Sequence, residues 1–291
     1  MRSALIAGLL GAGLVGVVLA ASAAAAAPLR IVAAESVYGD VARQIAGAAV
    51  AVTSILGSPT QDPHAYEASP ATARQIADAD LVIYNGAGYD PWAARLLQGS
   101  RSAAREVLPV AQLMHKRPGD DPHLWYDPAA VLALAQALAE ALARLDAAHG
   151  DGYRQRLEQF RRSMKPLLDQ VAALRGAYAG QAVTATEPVF GYMAQALGLN
   201  MRNGRFQLAV MNGTEPSATA IAGMEKDLRT HAVRVLIYNS QTTEALAQRM
   251  RAIALDSGVP VLDITETLPA GKTYQEWMLA ELSALERALA R

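Results

Sequence analysis

The chain of 291 residues contains no cysteine. This absence excludes disulfides, thiolate metal sites and anchoring through a lipid-modified cysteine. Aromatic residues make up only 5% of the chain, which offers little for the aromatic cleft that a receptor for an organic ligand, such as a metal chelate, would need. The formal net charge of -1 argues against nucleic acid or an anionic membrane surface as the main partner.

The first 27 residues have the composition of a secretory signal peptide. Arg2 supplies a positive charge, residues 4–20 are apolar, and residues 21–27 offer several small-residue cleavage points. As a transmembrane helix, the same run would be marginal in length and lacks a stop-transfer flank. We therefore expect cleavage after export by the general route, and a soluble periplasmic protein without a membrane anchor.

Short apolar runs alternate with helical patterns in two blocks, which predicts an α/β fold of two β/α lobes with mainly parallel sheets. Strands are predicted at residues 29–34, 49–56, 81–84, 107–110, 181–186, 205–210, 233–238 and 260–264. Between the blocks, residues 128–149 and 151–178 show the apolar spacing of two helices, the second containing Pro166, which we expect to kink or break it. The predicted organisation is an N-terminal lobe at residues 28–150, a linking helix at 151–180 and a C-terminal lobe at 181–291.

The same tripeptide occurs twice, as Asp62-Pro63-His64 and as Asp121-Pro122-His123, in a chain with only five histidines. Proline restricts the backbone directly before each histidine, so each imidazole is carried on a stiff loop. Neutral histidine is the commonest metal ligand in proteins. Either copy alone would be explained as an exposed turn histidine, whereas two in one local frame favour a metal site.

Two carboxylates follow predicted strands at the same edge as His64. Glu187 comes directly after the first strand of the second block, and Glu266 follows the last strand. Ligands of open α/β sheets bind beyond the carboxyl ends of the strands, so these groups and His123 are expected on one side. Two alternatives stay open: Glu187 caps the next helix, or Asp263 takes the place of Glu266.

These motifs occur in an order that resembles the metal-binding solute receptors of ABC importers, the zinc/manganese/iron class with a rigid helix joining two lobes. The matching stretches are residues 62–67, 80–90, 121–125, 186–192 and 266–277. The resemblance implies one metal ligand from each of four loops: His64, His123, Glu187 and Glu266. It also implies a binding protein rather than an enzyme, a divalent metal ion as cargo and an ABC permease as partner; we further expect a monomer.

The donor set bears on which metal is carried. Two imidazoles and two carboxylates form a neutral complex with a divalent cation, and carboxylates suit manganese and ferrous iron. Zinc-dedicated members of the class usually have histidine where this chain has Glu187, and a long histidine-rich loop where residues 114–121 contain only His115. We expect manganese as the favoured cargo over zinc, with ferrous iron as a third option, and weaker binding toward about pH 6 as the histidines become protonated.

A secreted metal-dependent hydrolase is the alternative function, since histidines and carboxylates also build catalytic centres. The chain has neither a His-Glu-x-x-His helix nor a Gly-x-Ser-x-Gly turn, which disfavours it. Several other residues are ambiguous or are interpreted as structural. Four aromatic residues suit either the site or the core, and three histidines suit loops and helix ends: Tyr38, Tyr66, Trp125, Tyr192, His115, His149 and His231.

Overall fold

Two four-stranded parallel sheets organise the computed structural model, which describes residues 28–57, 63, 66–242 and 244–291. The predicted signal peptide lies outside the described residues. The first sheet has the order β2-β1-β3-β4. Its strands are β1 (Arg30–Glu35), β2 (Ala51–Leu56), β3 (Leu81–Tyr84) and β4 (Glu106–Pro109), and its helices are α1 (Ser36–Ala46), α2 (Pro70–Asp78), α3 (Pro91–Gly99) and α4 (Val110–Leu113).

Burial explains the elements of the first sheet. All residues of β1 except Arg30 are buried, as in a parallel sheet covered on both faces. Helix α1 follows without a loop, buries Val37, Val41 and Ile45 at four-residue spacing, and ends at Gly47, whose φ of 77° favours glycine. Strand β1 therefore delivers its last residue, Glu35, and the start of α1 to the carboxyl edge of the sheet.

Two long helices follow, α5 (Pro128–Leu145) and α6 (Gly150–Tyr178). Among the described residues, α5 is the one helix apolar and long enough to cross a bilayer, but half of it is buried inside the protein, as in a core helix. Helix α6 is continuous through Pro166, so of the predicted kink or break, the break is wrong. Pro166 and Arg162 both lie on the exposed face, where water can hydrogen-bond the carbonyl freed by the missing proline N–H.

The second sheet has the order β6-β5-β7-β8 and is also parallel throughout. Its strands are β5 (Ala182–Ala185), β6 (Asn200–Arg202), β7 (Leu236–Asn239) and β8 (Val261–Ile264). Its helices are α7 (Gly191–Ala196), α8 (Gly204–Met211), α9 (Ala218–Arg229), α10 (Ala245–Asp256) and α11 (Tyr274–Leu289). Two parallel sheets with surrounding helices and a long central helix confirm the predicted two-lobe α/β class.

The strand predicted at residues 205–210 is wrong, because this segment forms helix α8. Phe206, Leu208 and Val210 alternate with other residues as in a strand, but Leu208 is 50% exposed while Phe206 and Val210 are buried. The two buried residues are four apart, which is the spacing of one helical face. The strand is instead the short, polar β6, which precedes the helix.

Direct contacts join the carboxyl edges of the two sheets. Ser36, which follows β1, accepts a hydrogen bond through Oγ from the backbone N–H of Leu268, which follows β8 (3.0 Å). The backbone N–H of Tyr274 donates to Asp40 Oδ2 of α1 (2.9 Å), and its hydroxyl donates to the carbonyl of Trp125 (3.0 Å). The loops that carry His123 and Glu266 therefore face each other across this junction.

Candidate metal centre

His123 is fully buried and its ring is fixed from one side. Its Nδ1 lies 2.7 Å from Asp121 Oδ1, which also accepts the backbone N–H of His123 (3.0 Å). An ionised carboxylate only accepts, so the ring proton lies on Nδ1 and the lone pair on Nε2. Among the described residues Nε2 has no hydrogen-bond partner, and it lies 3.7 Å from Glu266 Oε2. This is the tautomer that coordinates a metal through Nε2.

Aromatic side chains enclose this imidazole. Trp125 and Tyr89 pack edge-on against the His123 ring, with centroids 5.4 and 6.1 Å away, and against each other at 4.9 Å. Trp125 therefore lies at the site. The sequence alone did not decide whether Trp125 belongs to the site or to the core. The aromatic wall excludes water from the ring and limits its rotation.

Glu266 faces His123 from the loop after β8 and is 2% exposed. The Tyr89 hydroxyl donates to its Oε2 (2.9 Å), and the side-chain amide of Asn239 donates to its Oε1 (2.7 Å). Burial and the charge of Glu266 raise the pKa of Tyr89 well above its ordinary value, so Tyr89 remains a donor. Asp263 is directed elsewhere: its half-exposed carboxylate lies 3.4 Å from Arg251. The structure thus brings Glu266, and not Asp263, to His123.

Glu187 follows β5 and is 5% exposed. It stands at the N-cap of a short 3₁₀ turn, Pro188–Phe190, but its side chain makes no capping hydrogen bond. Its Oε2 instead accepts a hydrogen bond from Asn239 Nδ2 (3.2 Å). The side chain is therefore not a hydrogen-bonding cap, and it is tied to Glu266 through one shared amide.

The fourth predicted ligand, His64, lies outside the described residues, as does Asp62 of the same tripeptide. Within the part of the chain that the structure describes, no group of three or more His, Asp or Glu side chains is arranged to hold a metal ion by itself. The described part of the centre consists of His123 and Glu266, and the side-chain amide of Asn239 links Glu187 to Glu266.

The carboxylates Glu187 and Glu266 line a cavity of about 260 Å³. Asn239 and Gln241 line it as well, and Glu244 adds a further acid at its wall. A water molecule occupies about 30 Å³ in the liquid, so the cavity has room for a cation with several of its waters. The space for a hydrated cation therefore borders both carboxylates.

Sequence reasoning missed the residues that hold the ligands. Gln241 Oε1 accepts the backbone N–H groups of Glu266 (2.6 Å) and Thr267 (3.2 Å), and Asn239 bridges Glu266 and Glu187. One signal was available: Asn239 ends β7, so it lies at the same strand edge as both glutamates. Tyr89 lies in the matching stretch 80–90 after β3, but nothing in the sequence pairs it with Glu266, which is 177 residues away in the chain.

The remaining residues singled out from the sequence lie around the centre or far from it. The Tyr38 hydroxyl donates to Asn85 Oδ1 (2.5 Å), and the Tyr192 hydroxyl donates to the Asp121 carbonyl (2.7 Å). Tyr66 packs on Trp92 at 4.8 Å within the first lobe. The other histidines are exposed, His149 beside Asp146 at a helix end and two in loops with positive φ: His115 and His231.

Residues 31–288 match the family described as zinc-uptake complex component A, periplasmic (ZnuA). The chain belongs to this family. The resemblance found from the motifs is thereby confirmed, and with it the class of periplasmic metal-binding proteins of ABC transport. The family consists of solute-binding proteins rather than enzymes, and it captures metal ions for uptake through ABC importers.

Solved structures agree in fold. The periplasmic zinc-binding protein TroA from Treponema pallidum superposes with a TM-score of 0.77 at 19% identity, over 91% of this chain and 100% of that one. The manganese-bound and cadmium-bound periplasmic metal-binding protein from Candidatus Liberibacter asiaticus give TM-scores of 0.71 and 0.70 at 18% identity, each over 90% of this chain and 99% of that one. No curated protein matches the chain in sequence.

Proposed function

We propose that this protein binds one divalent transition-metal ion in the periplasm and delivers it to the membrane permease of an ABC importer. The observation that carries this proposal is the buried Nε2 of His123, which has no partner among the described residues and lies 3.7 Å from Glu266 Oε2. The proposed ligands are His64, His123, Glu187 and Glu266.

A cation would relieve two costs at this place. A buried nitrogen acceptor without a hydrogen bond costs about 1–3 kcal/mol, and two buried carboxylates repel each other. Ligand atoms about 2.1 Å from a metal at a tetrahedral angle lie about 3.4 Å apart, so a cation needs to close the gap between Nε2 and Oε2 by only a few tenths of an ångström. The His123 and Glu266 pair is therefore close to a ligating geometry.

Manganese is the proposed physiological cargo, ahead of zinc and ferrous iron. Two carboxylates among four donors suit manganese, although zinc competes strongly at nitrogen and oxygen sites by intrinsic affinity. The relatives of known structure were solved with different metals, manganese and cadmium in one of them, so the fold does not select the ion. Selection between manganese and zinc then rests on the donors of this chain, Glu187 above all.

Titration of the metal-stripped protein with Mn²⁺ and Zn²⁺ tests this function. Wild type is expected to bind one equivalent, and His123→Ala and Glu187→Ala are each expected to lose tight binding while keeping their fold. His149→Ala is the matched control, because His149 is exposed at a helix end and should leave the affinity unchanged. Wild-type affinity in both ligand variants would refute the assignment.

The binding role is favoured over the hydrolase alternative by the donor count. Catalytic zinc sites keep one coordination position open for water, whereas the four proposed side chains fill a four-coordinate shell.

We infer that the protein has no hydrolytic activity, acts as a monomer and loses residues 1–27 on export. A lobe division at residues 28–150, 151–180 and 181–291 accompanies this proposal, with the metal in the cleft between the lobes.

A further inference from the structure

We propose that Asn239 is the positioning residue that sets Glu187 and Glu266 for the cation. The inference rests on the proposed function and assigns a role within the same site. Asn239 is the last residue of β7 and is 3% exposed. Its side-chain NH₂ donates to Glu266 Oε1 at 2.7 Å and to Glu187 Oε2 at 3.2 Å, so one amide joins the two proposed carboxylate ligands.

The chemistry of the Asn239 amide suits a site that must bind and release a cation. A neutral amide offers two N–H donors, one for each carboxylate, and lowers the cost of keeping two ionised groups buried side by side. A lysine or arginine would do the same with a positive charge, which would then repel the incoming cation. The amide therefore holds the acids together while leaving their negative charge to the metal.

The orientation of Asn239 is itself fixed. Its Oδ1 accepts the backbone N–H of Gln241 (3.1 Å), which places Nδ2 on the side of the carboxylates. Its backbone N–H donates to Thr186 Oγ1 (3.2 Å), the residue directly before Glu187. Gln241 Oε1 in turn accepts the backbone N–H of Glu266 (2.6 Å). The end of β7 thus holds both ligands, by side chain and by backbone, on a rigid strand.

Replacing the amide tests this role. Asn239→Ala should weaken Mn²⁺ and Zn²⁺ binding by about 10–100-fold, the usual loss when a residue that orients metal ligands is removed. Asn239→Gln retains an NH₂ group, and the cavity beside residue 239 has room for the added methylene. This variant should regain part of the lost affinity, which a purely structural role of residue 239 would not produce.

The matched control is Asn203→Gly. Asn203 also donates its side-chain amide to a carboxylate of the second lobe, Asp227 Oδ2 (3.0 Å), away from the proposed ligands. Glycine accommodates its left-handed backbone, with φ of 61°. We expect this variant to lose stability without a change in metal affinity.

Each result supports or overturns the inference. Thermal unfolding of the metal-free variants shows that they are folded, and metal titration then gives the affinities. Wild-type affinity in a folded Asn239→Ala overturns the role of Asn239 while leaving the proposed function intact. A wild type that binds neither Mn²⁺ nor Zn²⁺ overturns the proposed function and this inference together. A drop in Asn239→Ala with partial recovery in Asn239→Gln supports both.

Discussion

At the scale of single residues, the candidate centre depends on hydrogen bonds that orient the side chain of each proposed ligand. Asp121 holds the proton of His123 on Nδ1, and Asn239 holds one oxygen each of Glu187 and Glu266. These partners make no proposed bond to the metal. They fix the ligands before the metal arrives, which reduces the entropy lost on binding.

Asp121→Ala is expected to weaken metal binding by about 10–100-fold, because the His123 ring loses the carboxylate that fixes its tautomer and orientation. Isothermal titration with Mn²⁺ measures the effect. Asp120→Ala is a suitable neighbour for comparison, since Asp120 is exposed and its carboxylate accepts the backbone N–H of Arg117. Equal affinities of the Asp121 variant and wild type would contradict the role given to Asp121.

Gly191→Ala is expected to weaken metal binding from the opposite lobe. A Cβ at position 191 would lie 2.6 Å from Asp121 Oδ2, closer than real contacts allow, so the carboxylate that holds His123 Nδ1 must shift. Gly176→Ala in α6 is the control, because a Cβ there meets nothing within 4 Å. If both alanine variants titrate with the affinity of wild type, the approach of α7 to Asp121 does not matter for binding.

At the scale of elements, α11 connects the second lobe to the ligand loops. Its N-terminus has a capping box between Thr273 and Glu276, and Trp277 packs against Tyr126 with ring centroids 5.6 Å apart. Farther along, Glu281 accepts the indole N–H of Trp277 (2.7 Å) and lies 2.9 Å from the Tyr126 hydroxyl, which also donates to the Thr265 carbonyl (2.8 Å). A protonated Glu281 satisfies all of these contacts: its carboxyl O–H donates to the Tyr126 hydroxyl oxygen, and the hydroxyl proton of Tyr126 is donated to the Thr265 carbonyl.

Burial of Glu281 predicts how stability depends on pH. Burial raises the pKa of Glu281 from 4.5 to about 8. Between these values the folded state binds more protons than the unfolded state, so the free energy of unfolding falls as pH rises from about 4.5 to 8. The loss is on the order of a few kcal/mol. Urea unfolding of metal-free protein at several pH values measures it, and Glu281→Gln should lack this part of the decrease.

An equal decrease in wild type and in Glu281→Gln would show that another group is responsible. Glu286→Gln on the same helix is the control, because Glu286 is exposed and should leave the pH dependence of wild type unchanged.

The secondary structure shows what a sequence pattern can predict. The bounds of strand β3 and of helix α6 agree with the sequence prediction, because a bounded apolar run and a long amphipathic period have few alternatives. The pattern of α8 predicts a strand, because three alternating apolar residues in a short segment fit both periods and only burial separates them. Helix α6 continues through Pro166 because this residue lies on the exposed face. The sequence alone does not show which face Pro166 occupies.

The site residues also divide into those that the sequence predicts and those that it does not. His123, Glu187 and Glu266 were proposed from motifs and from their places after strands, and the structure brings two of them together and holds the third close by. Asn239 and Tyr89 were not found, because each acts through partners distant in sequence. Such contacts become visible only once the register of β5, β7 and β8 is known.

At the scale of the whole molecule, two β/α lobes share one core, and their carboxyl edges meet around buried acids. A single hydrophobic cluster includes Ile31 and Val37 of the first lobe together with Phe190 and Leu282 of the second. A ligand that binds this junction in the folded state stabilises both lobes at once.

Metal is therefore expected to raise the stability of the whole protein in one transition. Free Mn²⁺ at 100 times its dissociation constant should add about 2.7 kcal/mol to the free energy of unfolding. Calorimetry with and without Mn²⁺ measures this gain, and His123→Ala should show none of it. Stabilisation of that variant equal to wild type would place the bound ion elsewhere.

The metal content of the protein, purified without chelator from the periplasm of cells supplied with balanced manganese, zinc and iron, tests the central claim most directly. We predict one equivalent of a divalent metal, with manganese in the larger share, and none in His123→Ala. One equivalent of zinc alone would contradict the selectivity assigned to Glu187. No metal in the purified wild type, together with no binding when the stripped protein is titrated, would contradict the metal centre itself.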